Sequence, residues 1–187
     1  MGYVYGTEEW ENAYREMAKE RLAGVEKPYF LGTPEWVADF EKKIQEDEHY
    51  KKVAETWEGT VVIHILANPD IGLDEDIYVL MDLWHGDCRS IRLVPGEAGE
   101  RGDYVLSGPF ERWQQVMNKE LDVTKAMMQG KIKLNGSLPE IVRYVKASIR
   151  LVELASQIET RFLNEVGEEE QAEFKRWFNE LRAEFGF

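Results

Sequence analysis

Trp36, Val37, Phe40 and Ile44 recur at steps of three and four residues, the period of an α-helix. Thr33-Pro34 stands in front of them, with proline at the first helical position. The spacing predicts a helix running towards Trp57, with a break near Asp47-Glu48-His49. An earlier stripe of Trp10, Ala13, Tyr14, Met17 and Leu22 predicts a helix from Thr7 to Gly24. Thr7 suits its N-cap, and Glu8 and Glu9 sit by its positive end. Pro28 to Gly32 reads as a linker between the two. Beyond Trp57 the pattern changes. Val61 to Ala67 is β-branched and almost continuously apolar, as in a strand buried on both faces. Ile77 to Trp84 and Cys88 to Val94 form a hairpin about the turn His85-Gly86-Asp87. On the first of these strands Tyr78, Leu80 and Trp84 share a face with Asp82, while Ile77, Val79, Met81 and Leu83 share the other. Pro95 to Gly102 is a charged loop, and Asp103 leads into a fourth strand that ends at Ser107-Gly108-Pro109.

Helical spacing returns with Phe110, Trp113, Val116 and Met117. Asp122 suits the N-cap of a second, short helix that carries Val123, Ala126 and Met127 and stops at Gly130. Lys131 to Leu134 alternates charged and apolar, as an edge strand does. After Gly136, the Ser-x-x-Glu capping box Ser137 to Glu140 opens a long helix, predicted to reach Phe162. Gly167 and Glu168 to Glu170 start a final helix with Phe174, Trp177, Phe178, Leu181 and Phe185 on one side. A run of strands followed by helices predicts an α+β domain with a mostly antiparallel sheet. The last strand arrives after a helical crossover, which allows parallel pairing with a neighbour.

The chain's 187 residues, 43% of them hydrophobic, fit one domain with an adequate core. The 36 acidic and 23 basic residues give a net charge of −13. That balance argues against a general nucleic-acid binder and against simple electrostatic docking to an anionic membrane, though it leaves room for a local basic patch. The single cysteine, Cys88, forms no intrachain disulfide and suits a reducing compartment. Met1 to Tyr5 lacks the features of a signal peptide, Glu184 to Phe187 is not a peroxisomal tripeptide, and no apolar run is long enough to span a bilayer. A soluble cytoplasmic protein without stable membrane insertion is expected.

Candidate chemistry is sparse. No Gly-x-Ser-x-Gly elbow, phosphate-binding glycine loop or His-Glu-x-x-His occurs. Cys88 and His85 flank a tight turn with no evident third group to orient them. His64 reads as a hydrogen-bonded core or near-core residue, and His49 as solvated. Asp70, Asp74, Glu75 and Asp76 crowd one loop without the calcium-loop pattern. No catalytic residue, metal or cofactor is expected. An enzymatic reading would need an activity tied to Cys88 or His64.

The segment from Asp103 to Val145 resembles the sterol carrier protein type-two family. The resemblance lies in an Asp-x-hydrophobic-x-Ser-Gly strand end at Asp103 to Gly108 and a helix with an aromatic and apolar face. Ala126-Met127-Met128-Gln129-Gly130, Lys131-Ile132-Lys133-Leu134-Asn135-Gly136 and a helix opening beside Leu138 follow. With the preceding strands it spans residues 33–162, leaving a helical extension at 1–32 and the helix at 167–187 outside. Two features depart from the family: Asn118 to Leu121 replaces a glycine-containing link, and helices extend both ends. The resemblance implies a sheet of about five strands covered by helices. Between them would run a hydrophobic tunnel holding a fatty acid, an acyl-CoA or a similar lipid. The lining residues expected on this basis are Leu80, Trp84, Val105, Trp113, Val116, Met117, Met127, Met128, Ile132, Leu134, Ile141 and Val145. The final aromatic helix would cover the tunnel mouth, or join the N-terminal helix in a homo-oligomer. The competing reading is a structural or oligomerisation module whose core is filled by side chains.

Overall fold

A computed structural model describes residues 2–187. Helix α1 (Glu8–Gly24) begins where the Thr7 hydroxyl accepts the Trp10 N–H. Its apolar side buries Trp10 and Tyr14. The expected linker contains a two-residue strand, β1 (Tyr29–Phe30). The next helical region breaks where the sequence indicated, into α2 (Pro34–Gln45), capped by Thr33, and α3 (Glu48–Val53), capped by Asp47.

Strands β2 (Glu58–Ile65), β3 (Ile77–Trp84) and β4 (Asp87–Leu93) follow. His85 and Gly86 both take positive φ, 49° and 83°, which matches the twist of a two-residue hairpin turn. A Cβ at Gly86 would strike the Lys51 carbonyl oxygen, so α3 seats directly on this turn. A short helix, α4 (Gly96–Gly99), interrupts the charged loop, and Gly99 lies against the Tyr78 ring with no room for a side chain. Strand β5 (Tyr104–Gly108), helices α5 (Phe110–Met117) and α6 (Val123–Met128), and strand β6 (Lys133–Asn135) complete the central part.

The sheet has five strands in the order β4-β3-β2-β5-β6. The parallel pairing allowed for the last strand occurs elsewhere. β6 runs antiparallel to β5, with Leu106 opposite Leu134, and the one parallel pair within this five-stranded sheet is β2 with β5, where Ile63 faces Leu106. The helical connection after β5 is used to return antiparallel.

The long helix expected over 138–162 is two helices and a strand. α7 (Leu138–Arg143) stops at Tyr144, whose φ of −104° and ψ of 31° leave the helical region. The Tyr144 hydroxyl donates to the Thr56 carbonyl at 3.1 Å and its ring meets Trp57, so tertiary contacts hold the bend. α8 (Val145–Ser156) ends early because β7 (Thr160–Arg161) pairs in parallel with β1. Backbone bonds from Tyr29 to Glu159 and from Leu31 to Arg161 replace the helical ones there.

The final helix, α9 (Glu168–Phe185), buries Phe174, Phe178 and Phe185. Phe174 meets Phe30, and the Phe185 carbonyl accepts the Trp10 indole N–H at 2.8 Å. Buried Arg182 donates to the Glu75 and Asp76 carbonyls at 2.9 and 3.1 Å, and Asn179 donates to Asp74. The acidic loop is thus a docking site for α9. The main core lies between one face of the sheet and the helices. A small second cluster, Val62, Tyr78, Val94 and Val105, lies on the opposite face.

Candidate functional site

A cavity of about 130 Å³ lies between the sheet and the helices. Its floor is the helix-facing side of the three middle strands: Val61, Ile63 and Ile65 of β2, Val79, Met81 and Leu83 of β3, and Leu106 of β5. Strand alternation sends these seven side chains to one face. Val61 and Ile63 are only half-buried although β2 is the central strand, because they border unfilled space.

Helices supply the walls. Trp36 and Phe40 come from α2, Tyr50 from α3, and Trp113, Val116 and Met117 from α5. Val123 and Met127 of α6 face Ile141 of α7 and Ser148, Leu151 and Val152 of α8. The three lining tryptophans all bond outward: Trp36 Nε1 donates to Thr160 Oγ1 at 2.8 Å, Trp57 Nε1 to the Gly59 carbonyl at 3.0 Å, and Trp113 Nε1 to the His64 carbonyl at 3.1 Å. With each N–H satisfied, the indoles offer the cavity only carbon. Tyr144 is likewise tied outward to Thr56. The hydroxyls of Tyr50 and Ser148 make no hydrogen bond among the described residues and are the polar groups left in the wall. Burial holds the Tyr50 hydroxyl well above the usual phenol range, so it stays protonated.

Of the residues expected to line a tunnel, Trp113, Val116, Met117, Met127 and Ile141 converge on this cavity. Leu80, Trp84 and Val105 lie on the opposite face of the sheet. The lining face of β3 is therefore the other one, because Asp82 shares the Leu80 side and is drawn to water and Arg89. Ile132 is fully buried but outside the cavity, Leu134 and Val145 are half-buried beside it, and Met128 points outward at 67% exposure. Trp36, Phe40 and Tyr50 lie outside Asp103 to Val145, the stretch whose motifs carry the resemblance, and so were not among the expected lining residues. The final helix contributes no lining residue, so it does not cover the cavity.

The other candidate groups have structural partners. His64 lies 2.7 Å from Ser107 Oγ through Nδ1 and 2.7 Å from Asp76 Oδ2 through Nε2, while Asp76 Oδ1 accepts the Ala67 N–H. This line of side chains, with Tyr78 stacked on the imidazole at 4.1 Å, pins β2, β5 and the acidic loop together on the face away from the cavity. His85 pairs with Glu58 at 2.7 Å rather than with Cys88. Cys88 is buried, and burial pushes its thiol up to about 12. Among the described residues no cluster of three or more His, Cys, Asp or Glu is arranged to hold a metal ion. Among the described residues no helix is long and apolar enough to cross a membrane.

Comparison with known proteins bears on this geometry. The model of the SCP-2 sterol transfer family matches residues 39–146. A crystal structure of sterol carrier protein 2 is 33% identical and superposes with a TM-score of 0.64, covering 68% of this chain and 98% of its own. The solution structure of a conserved hypothetical protein of Thermus thermophilus, described as possibly a sterol carrier protein, is 31% identical. It gives a TM-score of 0.65 and covers 73% of this chain and 94% of that one. No curated protein matches the sequence.

Proposed function

Because this chain belongs to the SCP-2 sterol transfer family, we propose that it is a carrier that holds a fatty acid, an acyl-CoA or a related single-chain lipid in its internal cavity. The observation that carries this reading is the wall itself: an unfilled apolar space from which every indole N–H has been turned away.

Magnitudes narrow the ligand. An engineered cavity of about 150 Å³ takes a benzene ring, so the space here suits roughly six carbons. Six buried carbons contribute about 5 kcal/mol gross at about 0.8 kcal/mol each. That is no more than the lower part of the roughly 4–15 kcal/mol lost when two bodies become one. A longer chain is therefore required, and it must widen the cavity, since ligand pockets are commonly about 300–1,000 Å³. Met117 and Met127 suit that role, because unbranched thioethers repack at low cost. The Tyr50 and Ser148 hydroxyls are the groups available to a carboxyl or ester at the wall.

Solvent extraction of the purified protein followed by lipid mass spectrometry tests the proposal. The expected result is a single-chain lipid at close to one per protein chain. An extract free of lipid, from protein that also takes none from a supplied fatty acid, would favour the structural or oligomerisation module instead.

A further inference from the structure

Tyr50 is 1% exposed and lines the cavity, yet its hydroxyl has no hydrogen-bond partner among the described residues. The other deeply buried phenol, Tyr14, is satisfied: its oxygen accepts the Leu93 N–H at 2.9 Å. Buried polar groups are ordinarily paired in this way, so an orphaned hydroxyl in a wall of carbon needs a cause. The Tyr50 backbone N–H is already held by the Asp47 carboxylate at 2.7 Å, which fixes the first turn of α3 and the place from which the ring projects.

Ser148 carries the other unpaired hydroxyl of the wall, but it is half-buried and lies within α8. A helical serine can turn to the carbonyl four residues back, here that of Tyr144. The Tyr50 oxygen stands at the far end of a rigid ring and has no such recourse. Burial, with Cys88 adding to it, raises the phenol above its ordinary range, so the group remains an O–H donor at neutral pH. No charged side chain lines the cavity. Arg150, on the adjoining helix, is committed to Asp47 and Glu153.

We propose that the Tyr50 hydroxyl is the anchor for an uncharged oxygen acceptor on the carried lipid, such as the carbonyl of an alkyl ester or ketone, which enters the cavity polar end first. The proposal rests on the lipid-carrier reading and narrows its ligand class. A carboxylate brought to the same place would give up its hydration for a single donor, with no cation to offset the loss. A fatty acid or an acyl-CoA therefore keeps its ionised end in water and lays only its chain in the cavity. A neutral carbonyl is far less costly to desolvate, and it gains the one donor that the protein leaves open. Apolar pockets commonly fix a ligand's orientation through a few such polar points.

The test compares three ligands of one chain length, methyl dodecanoate, dodecanoate and dodecane, at pH 8, where the free acid is ionised. Each displaces a fluorescent fatty acid from the wild type and from Tyr50→Phe, which keeps the ring and removes only its oxygen. Tyr50→Phe should weaken methyl dodecanoate about fivefold, the effect of one net hydrogen bond, and leave the other two within about twofold. With the ester carbonyl labelled with carbon-13, its infrared stretch should lie lower on the wild type than in alkane solution, and return towards the alkane position on Tyr50→Phe. Equal weakening of all three ligands would mark a purely structural role for the hydroxyl and overturn the proposal. Weakening of dodecanoate as large as that of the ester would overturn the uncharged class. An ester unaffected by the substitution, or a carbonyl band on the wild type at its alkane position, would also overturn the anchor while leaving the carrier reading standing. A wild type that binds none of the three ligands and no fluorescent fatty acid would defeat the carrier reading, and this proposal with it.

Discussion

Arg150 grips Asp47 with two hydrogen bonds, Nη2 to Oδ1 at 2.6 Å and Nε to Oδ2 at 2.8 Å, and so ties α8 to the start of α3. The same Asp47 carboxylate accepts the Tyr50 N–H at 2.7 Å as the N-cap of α3. Tyr50 lines the cavity, so a surface-facing pair positions a wall residue. The Arg150 bonds hold the Asp47 carboxyl below the usual aspartate range, against a smaller opposing effect of burial. Asp47→Ala should therefore cost about 2 kcal/mol at pH 7, from the lost cap and the lost charged hydrogen bonds. A depressed carboxyl pKa means that on acidification the unfolded chain takes up the proton first. The contribution is complete above the unfolded aspartate value of about 3.9 and disappears as the pH falls through the lower folded value. Urea denaturation of both proteins at pH 7 and near pH 3 checks this: the gap between them should be smaller in acid.

Ile63 sits at the centre of the cavity floor, half-buried in the middle of the sheet. Ile63→Trp should fill the space with its own ring. Fatty-acid uptake should fall about tenfold, while stability stays within about 1 kcal/mol, because filling a void offsets the strain of a larger side chain. Uptake is read by fluorescence titration and stability by denaturant midpoint. Unchanged uptake would place the ligand elsewhere.

The C-terminal helix is part of the core rather than a cover. Phe178 is 1% exposed, stacked with Phe174 and under the Arg182 guanidinium. Phe178→Ala should cost about 3–5 kcal/mol, the range for a buried aromatic. Removing residues 168–187 should abolish cooperative thermal unfolding instead of merely speeding lipid exchange. Calorimetry of the two variants distinguishes these outcomes.

Cys88 tests the absence of thiol chemistry. Its thiol is pushed up to about 12, first by burial and then by Glu41 and Asp82 nearby. A raised pKa leaves almost no thiolate at pH 8. A disulfide reagent such as dithionitrobenzoate should therefore react with the folded protein about a hundredfold more slowly than with the same chain in denaturant. Rapid reaction of the folded chain would show an accessible, activated thiol.

Much of this fold was legible in the sequence because local signals agreed with the final packing. Thr7, Asp122 and Ser137 each cap the helix they announced, and the His85-Gly86 turn closes the hairpin it marked. The errors came where long-range contacts overrode periodicity. The apolar stripe from Leu138 to Phe162 is continuous, but Tyr144 is pulled out of it towards Thr56, and residues 159–161 bond to β1 instead. The site was half legible. Trp113, Met117 and Met127 stood out because the segment carrying them resembles a known family. On β3 the cavity takes the face of Val79, Met81 and Leu83 rather than that of Leu80 and Trp84, and the sequence holds the signal: Asp82 lies with Tyr78, Leu80 and Trp84, and a carboxylate marks the solvent side. Trp36, Phe40 and Tyr50 gave no such signal, because helical spacing shows that a side chain is buried, not that it borders a void.

Three of the six tryptophans, Trp36, Trp57 and Trp113, line the cavity, and Trp10, Trp84 and Trp177 do not. Titration with a doxyl-labelled stearic acid, read by tryptophan fluorescence, therefore tests most directly whether an alkyl chain occupies this space. A chain held in the cavity should give saturable quenching at one ligand per protein that removes about half of the emission, reflecting contact with the three lining rings. Quenching that rises in proportion to added ligand without saturating, or that disappears when exposed Trp84 is replaced by phenylalanine, would contradict it.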